Sequence, residues 1–133
     1  MEFISAEEFL KQPEEVQKAL KDWFKDNIEF YDLYTTIKYS DVIIIRNDKQ
    51  IKAIKEYGIK DNVIPLLTEG QLRQFIEDRT QTIVQIDYYM AKGYTIYLSC
   101  RNEPEIWKCF SDLGGSLIKA YWDVACKIAK GEE

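Results

Sequence analysis

The chain has 133 residues, of which 46% are hydrophobic and 14% aromatic, and its formal net charge is −5. This length and composition predict a single folded domain, residues 1–133, and exclude a chain that is disordered throughout. The acidic balance argues against nucleic acid as a partner, because such binding normally needs a basic surface that neutralises phosphates.

Two helices are predicted at the start of the chain. Ser5 and Glu8 match a capping box, so a short helix should cover residues 7–11. Pro13 suits the first turn of a second helix. The apolar residues of that helix recur at helical spacing and should face the core: Val16, Ala19, Leu20, Trp23 and Phe24.

The next segment mixes extended and helical patterns. Residues 28–39 are rich in aromatic and β-branched residues without a clean period, so strand and irregular structure both stay open. Residues 41–45 predict a buried strand. A helix should follow at residues 49–57, beginning at Asn47-Asp48 and ending at Gly58.

A further extended stretch and a third helix come next. Residues 62–67 should be extended, and Pro65 restricts them to a sheet edge or a strand end. Thr68 and Gln71 form a second capping box. The helix that begins there should run to about Arg79, with an apolar face of Leu72, Phe75 and Ile76.

The sharpest local pattern is a β-hairpin at about residues 82–100, with Ala91-Lys92-Gly93 as its loop. If Met90 pairs with Tyr94, one face is the core face and carries Val84, Ile86, Tyr88, Met90, Tyr94, Ile96, Leu98 and Cys100. The other face should be wetter and carries Gln85, Asp87, Tyr89, Thr95, Tyr97 and Ser99.

The end of the chain predicts one more strand and one more helix. Residues 106–110 are a candidate third strand, and Gly114-Gly115 interrupt the chain after it. The last helix has an apolar face of Leu117, Ala120, Tyr121, Val124 and Ile128. These elements predict an α+β fold, in which amphipathic helices flank an antiparallel sheet containing the hairpin in a layered sandwich.

Two segments, PLLTEGQLRQFIED at residues 65–78 and LIKAYWDVACKIA at residues 117–129, resemble small, largely uncharacterised phage and prophage proteins of Gram-positive bacteria. Residues 9–17 look like the opening of those proteins, and the order helix, hairpin, helix is similar to phage sandwich domains. The resemblance implies a phage or prophage origin and an accessory role. It implies binding to a host or phage protein, with inhibition of a host defence system as one such role. No catalytic residue can be carried over from it.

The sequence lacks the residues of common catalytic centres. It contains no histidine, which excludes nucleophilic sites that depend on an imidazole base. It shows no phosphate-binding loop and no EF-hand pattern. Helix capping and surface charge account for the acidic pairs Glu7-Glu8, Glu14-Glu15 and Glu77-Asp78. We therefore predict a non-enzymatic protein without cofactor or metal, and a metal-dependent hydrolase using acidic residues ranks as the second alternative.

The cellular location follows from what the sequence does not contain. Residues 1–8 contain no basic leader, and no run of about 18 apolar residues occurs in the sequence. We therefore expect a cytoplasmic protein without a membrane segment. Cys100, Cys109 and Cys126 are odd in number and have no C-x-x-C spacing, which favours reduced thiols over disulfides or a zinc site.

Two groups of residues are candidate binding sites. Exposed aromatic rings are favoured at interfaces, so the candidates for contact with a protein are Asp87, Tyr89, Tyr97 and Trp122. A basic helix face is the candidate anion site, with Arg46, Lys49, Lys52 and Lys55. A protein partner is the first hypothesis, a small ligand or nucleotide is the alternative, and self-association stays open.

Overall fold

The structure is a computed structural model, and it describes residues 2–37, 41–57, 63–102 and 106–131. The described residues form five helices and two antiparallel sheets of three strands each, which confirms the predicted α+β class. The chain divides into an N-terminal unit, Ile4–Leu67, and a C-terminal unit, Thr68–Glu133 with Met1–Phe3. The sequence predicted one sheet, and the second sheet is a finding of the structure. Among the described residues, no helix combines the length and apolarity needed to cross a bilayer.

The N-terminal unit opens with two helices, α1 (Ala6–Leu10) and α2 (Glu14–Asp26). The Oγ atom of Ser5 accepts a hydrogen bond of 3.2 Å from the backbone N–H of Glu8, which caps α1 as predicted. Pro13 immediately precedes α2. The buried side of α2 consists of Val16, Leu20 and Phe24, in agreement with the helical spacing in the sequence.

The sheet of the N-terminal unit has β1 (Leu33–Thr36) at its centre, between β2 (Ile43–Ile44) and β3 (Val63–Pro65). β1 resolves the segment that the sequence left open, and β3 matches the predicted extended stretch. Pro65 ends β3 at the sheet edge, where the missing N–H of proline costs no ladder hydrogen bond.

The predicted buried strand at residues 41–45 requires a correction. Only Ile43–Ile44 pair with β1, and they do so as an edge strand. Val42 is exposed, and within this segment only Ile45 is buried. The apolar run predicted a strand at the right place but made it too long, because β1 continues to Thr36 while its pairing with this segment ends at Ile43. Short edge strands of this kind are common.

The helix α3 (Asp48–Tyr57) begins where the sequence predicted. The Oδ1 atom of Asn47 accepts a hydrogen bond of 2.9 Å from the backbone N–H of Gln50, which caps the helix. Gly58, the predicted end of α3, and Asn62 lie outside the described residues.

The helices of the C-terminal unit are α4 (Glu69–Thr80) and α5 (Leu117–Ala129), which pack against each other. Thr68 and Gln71 make both hydrogen bonds of the predicted capping box. α4 contacts the sheet of this unit through one strand and α5 through another. α5 is buried around most of its circumference. Its buried residues are Ile118, Ala120, Tyr121, Trp122, Val124, Ala125, Cys126, Ile128 and Ala129.

The sheet of the C-terminal unit consists of β4 (Thr82–Tyr89), β5 (Gly93–Cys100) and β6 (Ile106–Phe110), in that order across the sheet. The predicted hairpin and the predicted third strand are both confirmed. β5 is the central strand, and β4 is an edge strand with one side unpaired by any strand of the described chain.

The predicted hairpin register was wrong by two residues. Tyr88, not Met90, pairs with Tyr94, because Met90 lies in the turn that the hydrogen bond from Lys92 N–H to the Tyr89 carbonyl closes at 3.0 Å. A shift of two residues keeps every side chain on its predicted face, since strand side chains alternate with a period of two.

The inner face of this sheet is buried along only part of its length. Val84, Ile96 and Leu98 are buried as predicted, whereas Tyr88 is 54% exposed and Met90 is 96% exposed. Ile86, on the same face, is 38% exposed, so the assignment of Ile86, Tyr88 and Met90 to the core was wrong. Alternation identifies the face of a strand, but it does not show how far along the strand the covering helices reach.

Candidate functional site

Exposed apolar side chains concentrate at one end of the β4–β5 hairpin. Ten large hydrophobic side chains of the described residues are exposed, and five of them lie within residues 83–90. These five are Ile83, Ile86, Tyr88, Tyr89 and Met90. We call residues 86–90 the distal hairpin. Ile86, Tyr88 and Met90 lie on the inner face and Ile83 and Tyr89 on the outer face. Apolar residues exposed together in one segment mark interaction sites more often than scattered exposed residues do.

The inner side of the distal hairpin carries an ordered pair of aromatic rings. The ring centroids of Tyr88 and Tyr94 are 4.8 Å apart and the planes are tilted by 60°. This geometry is a favourable one for two aromatic rings. Tyr88 therefore presents a large surface with its orientation fixed in advance. The sequence analysis missed this residue as a contact candidate because its alternation pattern placed it in the core.

The outer side of the distal hairpin carries a second tyrosine pair. The hydroxyl oxygens of Tyr89 and Tyr97 are 3.3 Å apart, within hydrogen-bond distance. Tyr89 lies opposite Gly93, which has no side chain, so its ring has room to extend toward Tyr97. The structure thus brings together two of the predicted contact residues.

The burial of two β5 side chains corrects the prediction of a wetter outer face. Thr95 shares this face with Tyr89 and Tyr97 and lies directly opposite Asp87. It is only 4% exposed, and Ser99 on the same strand is also buried. β5 is the central strand of the sheet, so it has a neighbouring strand on each side. A charged residue in place of Thr95 should consequently be destabilising.

The hydrogen bond between the two hydroxyls raises the pKa of Tyr97 to about 12, with smaller contributions from burial and from the charge of Asp87. Because the raised pKa favours the protonated folded state, its contribution to stability is fully present below pH 10.0, the ordinary tyrosine value, and disappears as the pH rises through about 12. Tyr89→Phe should lower the pKa of Tyr97, as measured by tyrosinate absorbance, while Tyr88→Phe should leave it in place. If the pKa of Tyr97 is the same in Tyr89→Phe as in the unchanged chain, the two hydroxyls do not interact.

Asp87 adds a negative charge to this aromatic surface. It is the charged residue of β4, whose sequence is TIVQIDYY, and its side chain is exposed. Carboxylates bind lysine and arginine by charge-assisted hydrogen bonds, and tyrosine rings attract the same cations through their faces. The outer side of the distal hairpin therefore offers both groups that recognise a basic side chain.

Trp122 does not belong to this surface, and its assignment as a contact residue is corrected. Its side chain is 5% exposed and lies on the buried circumference of α5. Ile118, Trp122 and Ala129 widen the apolar face of that helix, so the tryptophan serves the core. A helix that is apolar around most of its circumference is typically a buried one.

The predicted anion site lies in the N-terminal unit, where an open cleft of about 380 Å³ borders α3. Of the four predicted cations, only Lys49 lines the cleft, and Arg46, Lys52 and Lys55 are exposed outside its lining. The remaining lining residues are Tyr34, Thr36, Asn47, Gln50, Ala53, Ile54 and Val63. One cation does not make the basic cluster that the sequence predicted.

The described residues show no metal-binding cluster, and Glu77 has structural partners. Within the described ranges, no group of three or more His, Cys, Asp or Glu residues could hold a metal ion. The Oε2 atom of Glu77 accepts a hydrogen bond of 2.9 Å from the Val84 N–H and lies 3.8 Å from Nε of Arg73. None of Cys100, Cys109 and Cys126 forms a disulfide, and Cys109 is exposed.

Two further titratable groups have shifted pKa values. Burial raises the pKa of Asp32, and a hydrogen bond of 2.8 Å from the backbone N–H of Glu29 opposes the rise. Burial also raises the pKa of Tyr121, and the nearby Arg73 opposes it. Neither group lies in the distal hairpin, and both have roles in the local structure.

Comparisons with protein-family models, with curated proteins and with solved structures find no match for this chain. The resemblance to phage proteins therefore stays a prediction. The function has to be argued from the surface of the molecule itself, and the distal hairpin is its most distinctive described surface.

Proposed function

We propose that the chain is a non-enzymatic protein-binding module and that the distal hairpin is its contact surface. The observation that carries the proposal is the concentration of exposed Ile86, Tyr88, Tyr89 and Met90 at one end of a hairpin. Aromatic residues and methionine are enriched in protein interfaces relative to the rest of the surface.

The fixed orientation of the tyrosine side chains supports this proposal. The Tyr88–Tyr94 ring contact and the Tyr89–Tyr97 hydroxyl contact hold both exposed rings before any partner arrives. A side chain that is already ordered loses less entropy on binding, so more of its contact energy contributes to affinity.

The identity of the partner is a narrower proposal. The resemblance of residues 65–78 and 117–129 to phage and prophage proteins supports a host or phage protein as the partner, and inhibition of a host defence system as the outcome. The cleft beside α3 gives a small-ligand function less support, because only Lys49 of the predicted cations reaches it.

The test compares two pairs of adjacent exposed aromatic residues. The double variant Tyr88→Ala/Tyr89→Ala should fold normally and bind a partner captured from bacterial lysate at least about 30-fold more weakly, since a single central interface tyrosine contributes about 2 kcal/mol or more. The matched control is Phe30→Ala/Tyr31→Ala, which removes an exposed aromatic pair from the N-terminal unit and should keep full affinity.

Calorimetry with the purified partner gives the affinities, and circular dichroism with a melting curve checks the fold. Equal affinity of both double variants would place the contact surface elsewhere. Loss of affinity in the Phe30→Ala/Tyr31→Ala control alone would move it to the N-terminal unit.

A further inference from the structure

The unpaired edge of β4 is partly closed by the chain itself. The backbone N–H of Val84 donates to Oε2 of Glu77 at 2.9 Å, and its carbonyl accepts from Nη2 of Arg73 at 3.0 Å. Both groups are therefore directed away from β5 and satisfied by α4. Covering an edge with side chains of a helix prevents other strands from pairing with it.

Beyond Val84, the backbone groups of β4 on this edge have no partner in the described chain at Ile86 and Tyr88. In an antiparallel pair, every second residue directs its N–H and C=O to the same side, so Ile86 and Tyr88 follow Val84 toward the open edge. Tyr94, opposite Tyr88, confirms this alternation because its N–H donates to the Gly114 carbonyl at 2.8 Å and its carbonyl accepts from Leu113 at 3.1 Å. No described residue bonds the backbone of Ile86 or Tyr88.

The charge at this position selects the kind of strand that could pair there. A symmetric antiparallel pair with a second copy, using both Ile86 and Tyr88, would set Asp87 directly opposite the Asp87 of that copy. Like charges in directly opposed positions destabilise a strand pair. A symmetric pair centred on Ile86 would instead require the Val84 backbone, which Glu77 and Arg73 already occupy.

Resting on the proposed protein-binding function, we propose that the β4 edge from Ile86 to Tyr88 takes up an extended peptide of the partner protein as a fourth strand, with a lysine or arginine opposite Asp87. The residues of the peptide on either side of this cation exchange backbone hydrogen bonds with Ile86 and Tyr88 and are apolar, because they share the inner face with those side chains. The cation shares the outer face with Asp87 and the ring of Tyr89.

The probe is a short synthetic peptide with a central lysine flanked on each side by valine and then threonine. It should bind the full chain, and amide exchange followed by NMR should slow at Ile86 and Tyr88. A peptide with glutamate at the centre should bind about tenfold more weakly, because a like-charged pair replaces an opposite one. With the variant Asp87→Lys, the order of the two peptides should reverse.

The backbone contribution is tested at Ile86. Ile86→Pro removes the N–H from an edge position that the fold does not use, so the chain should fold but lose the peptide. Ile86→Ala keeps the N–H and should retain most of the binding, which separates the backbone from the side chain. If Ile86→Pro does not fold, the paired Asp87→Lys and glutamate-peptide measurements decide the proposal.

Three results would overturn strand addition. The first is equal binding of the lysine and glutamate peptides, and the second is slowed amide exchange confined to residues outside β4. The third is a dimer of the chain alone, seen by ultracentrifugation and strengthened by Asp87→Asn. Such a dimer would make a second copy of the chain the occupant of the edge. If partner affinity falls in Tyr88→Ala/Tyr89→Ala but not in Ile86→Pro or Asp87→Lys, the protein-binding function stands and strand addition is wrong.

Discussion

Gly93→Ala should destabilise the fold by about 3–5 kcal/mol and lower the melting temperature by about 10–20 °C. Gly93 has a φ angle of +79°, which L-residues with a side chain rarely adopt. A Cβ at this position would also overlap the carbonyl of Gly114. Relief of that overlap would separate Tyr94 from Leu113 and Gly114, with which it forms two backbone hydrogen bonds.

Substitutions at two other glycines distinguish the cost of backbone strain from the cost of the steric overlap of a Cβ. Gly114 has a φ of +84° but open space around a Cβ, so Gly114→Ala should cost only the strain, about 1–2 kcal/mol. Gly115 has neither feature, and Gly115→Ala should be close to neutral. Thermal unfolding of the three variants measures the difference. A cost for Gly93→Ala no greater than that for Gly114→Ala would contradict the close approach of the two backbones.

The second large effect is expected for Ile96→Asp, which should unfold the C-terminal unit. Ile96 is completely buried on the inner face of the central strand β5. A carboxylate there would have no described charged partner, and burying it costs several kcal/mol against a total stability of about 5–15 kcal/mol. Circular dichroism and the dispersion of the NMR spectrum would show the loss of structure.

The matched control is Ile83→Asp, the same change on the neighbouring strand. Ile83 lies on the outer face and is 43% exposed, so a carboxylate there stays hydrated and should cost about 1 kcal/mol or less. Thr95, also on the outer face, is unsuitable as an exposed control because it is buried. Similar losses of stability in the two variants would contradict the assignment of the faces.

The sequence predicted the elements well where the pattern is local. The capping residues Ser5, Asn47 and Thr68 each satisfy a backbone donor within three residues, so their helices start where a short motif says they should. The alternation of the hairpin likewise assigned each side chain to its face, although the register was wrong by two residues.

Features that depend on distant residues were not predictable in this way. The position of the hairpin turn depends on the pairing of Gly93 with Gly114, which is far away in the chain. The exposure of Tyr88 depends on where the cover of the sheet ends, and Thr95 is buried on the central strand of the sheet. No short window of sequence contains these relations.

The candidate contact surface was therefore only partly predicted. Asp87, Tyr89 and Tyr97 were found because polar alternation placed them outside the core. Trp122 was assigned to the surface because a helical pattern does not reveal that a helix is covered on several sides. Tyr88 was assigned to the core because alternation does not reveal that the inner face is uncovered at this end of the strand.

The most direct test of the distal hairpin as the contact surface is hydrogen–deuterium exchange of the chain with and without its captured partner, read by mass spectrometry. We expect the strongest slowing of exchange in residues 83–90, whose amides include those of the open β4 edge. Exchange in α3 should be the same in the free and the bound chain. Slowing confined to α3 and the cleft beside it, with residues 83–90 unchanged, would contradict the proposal.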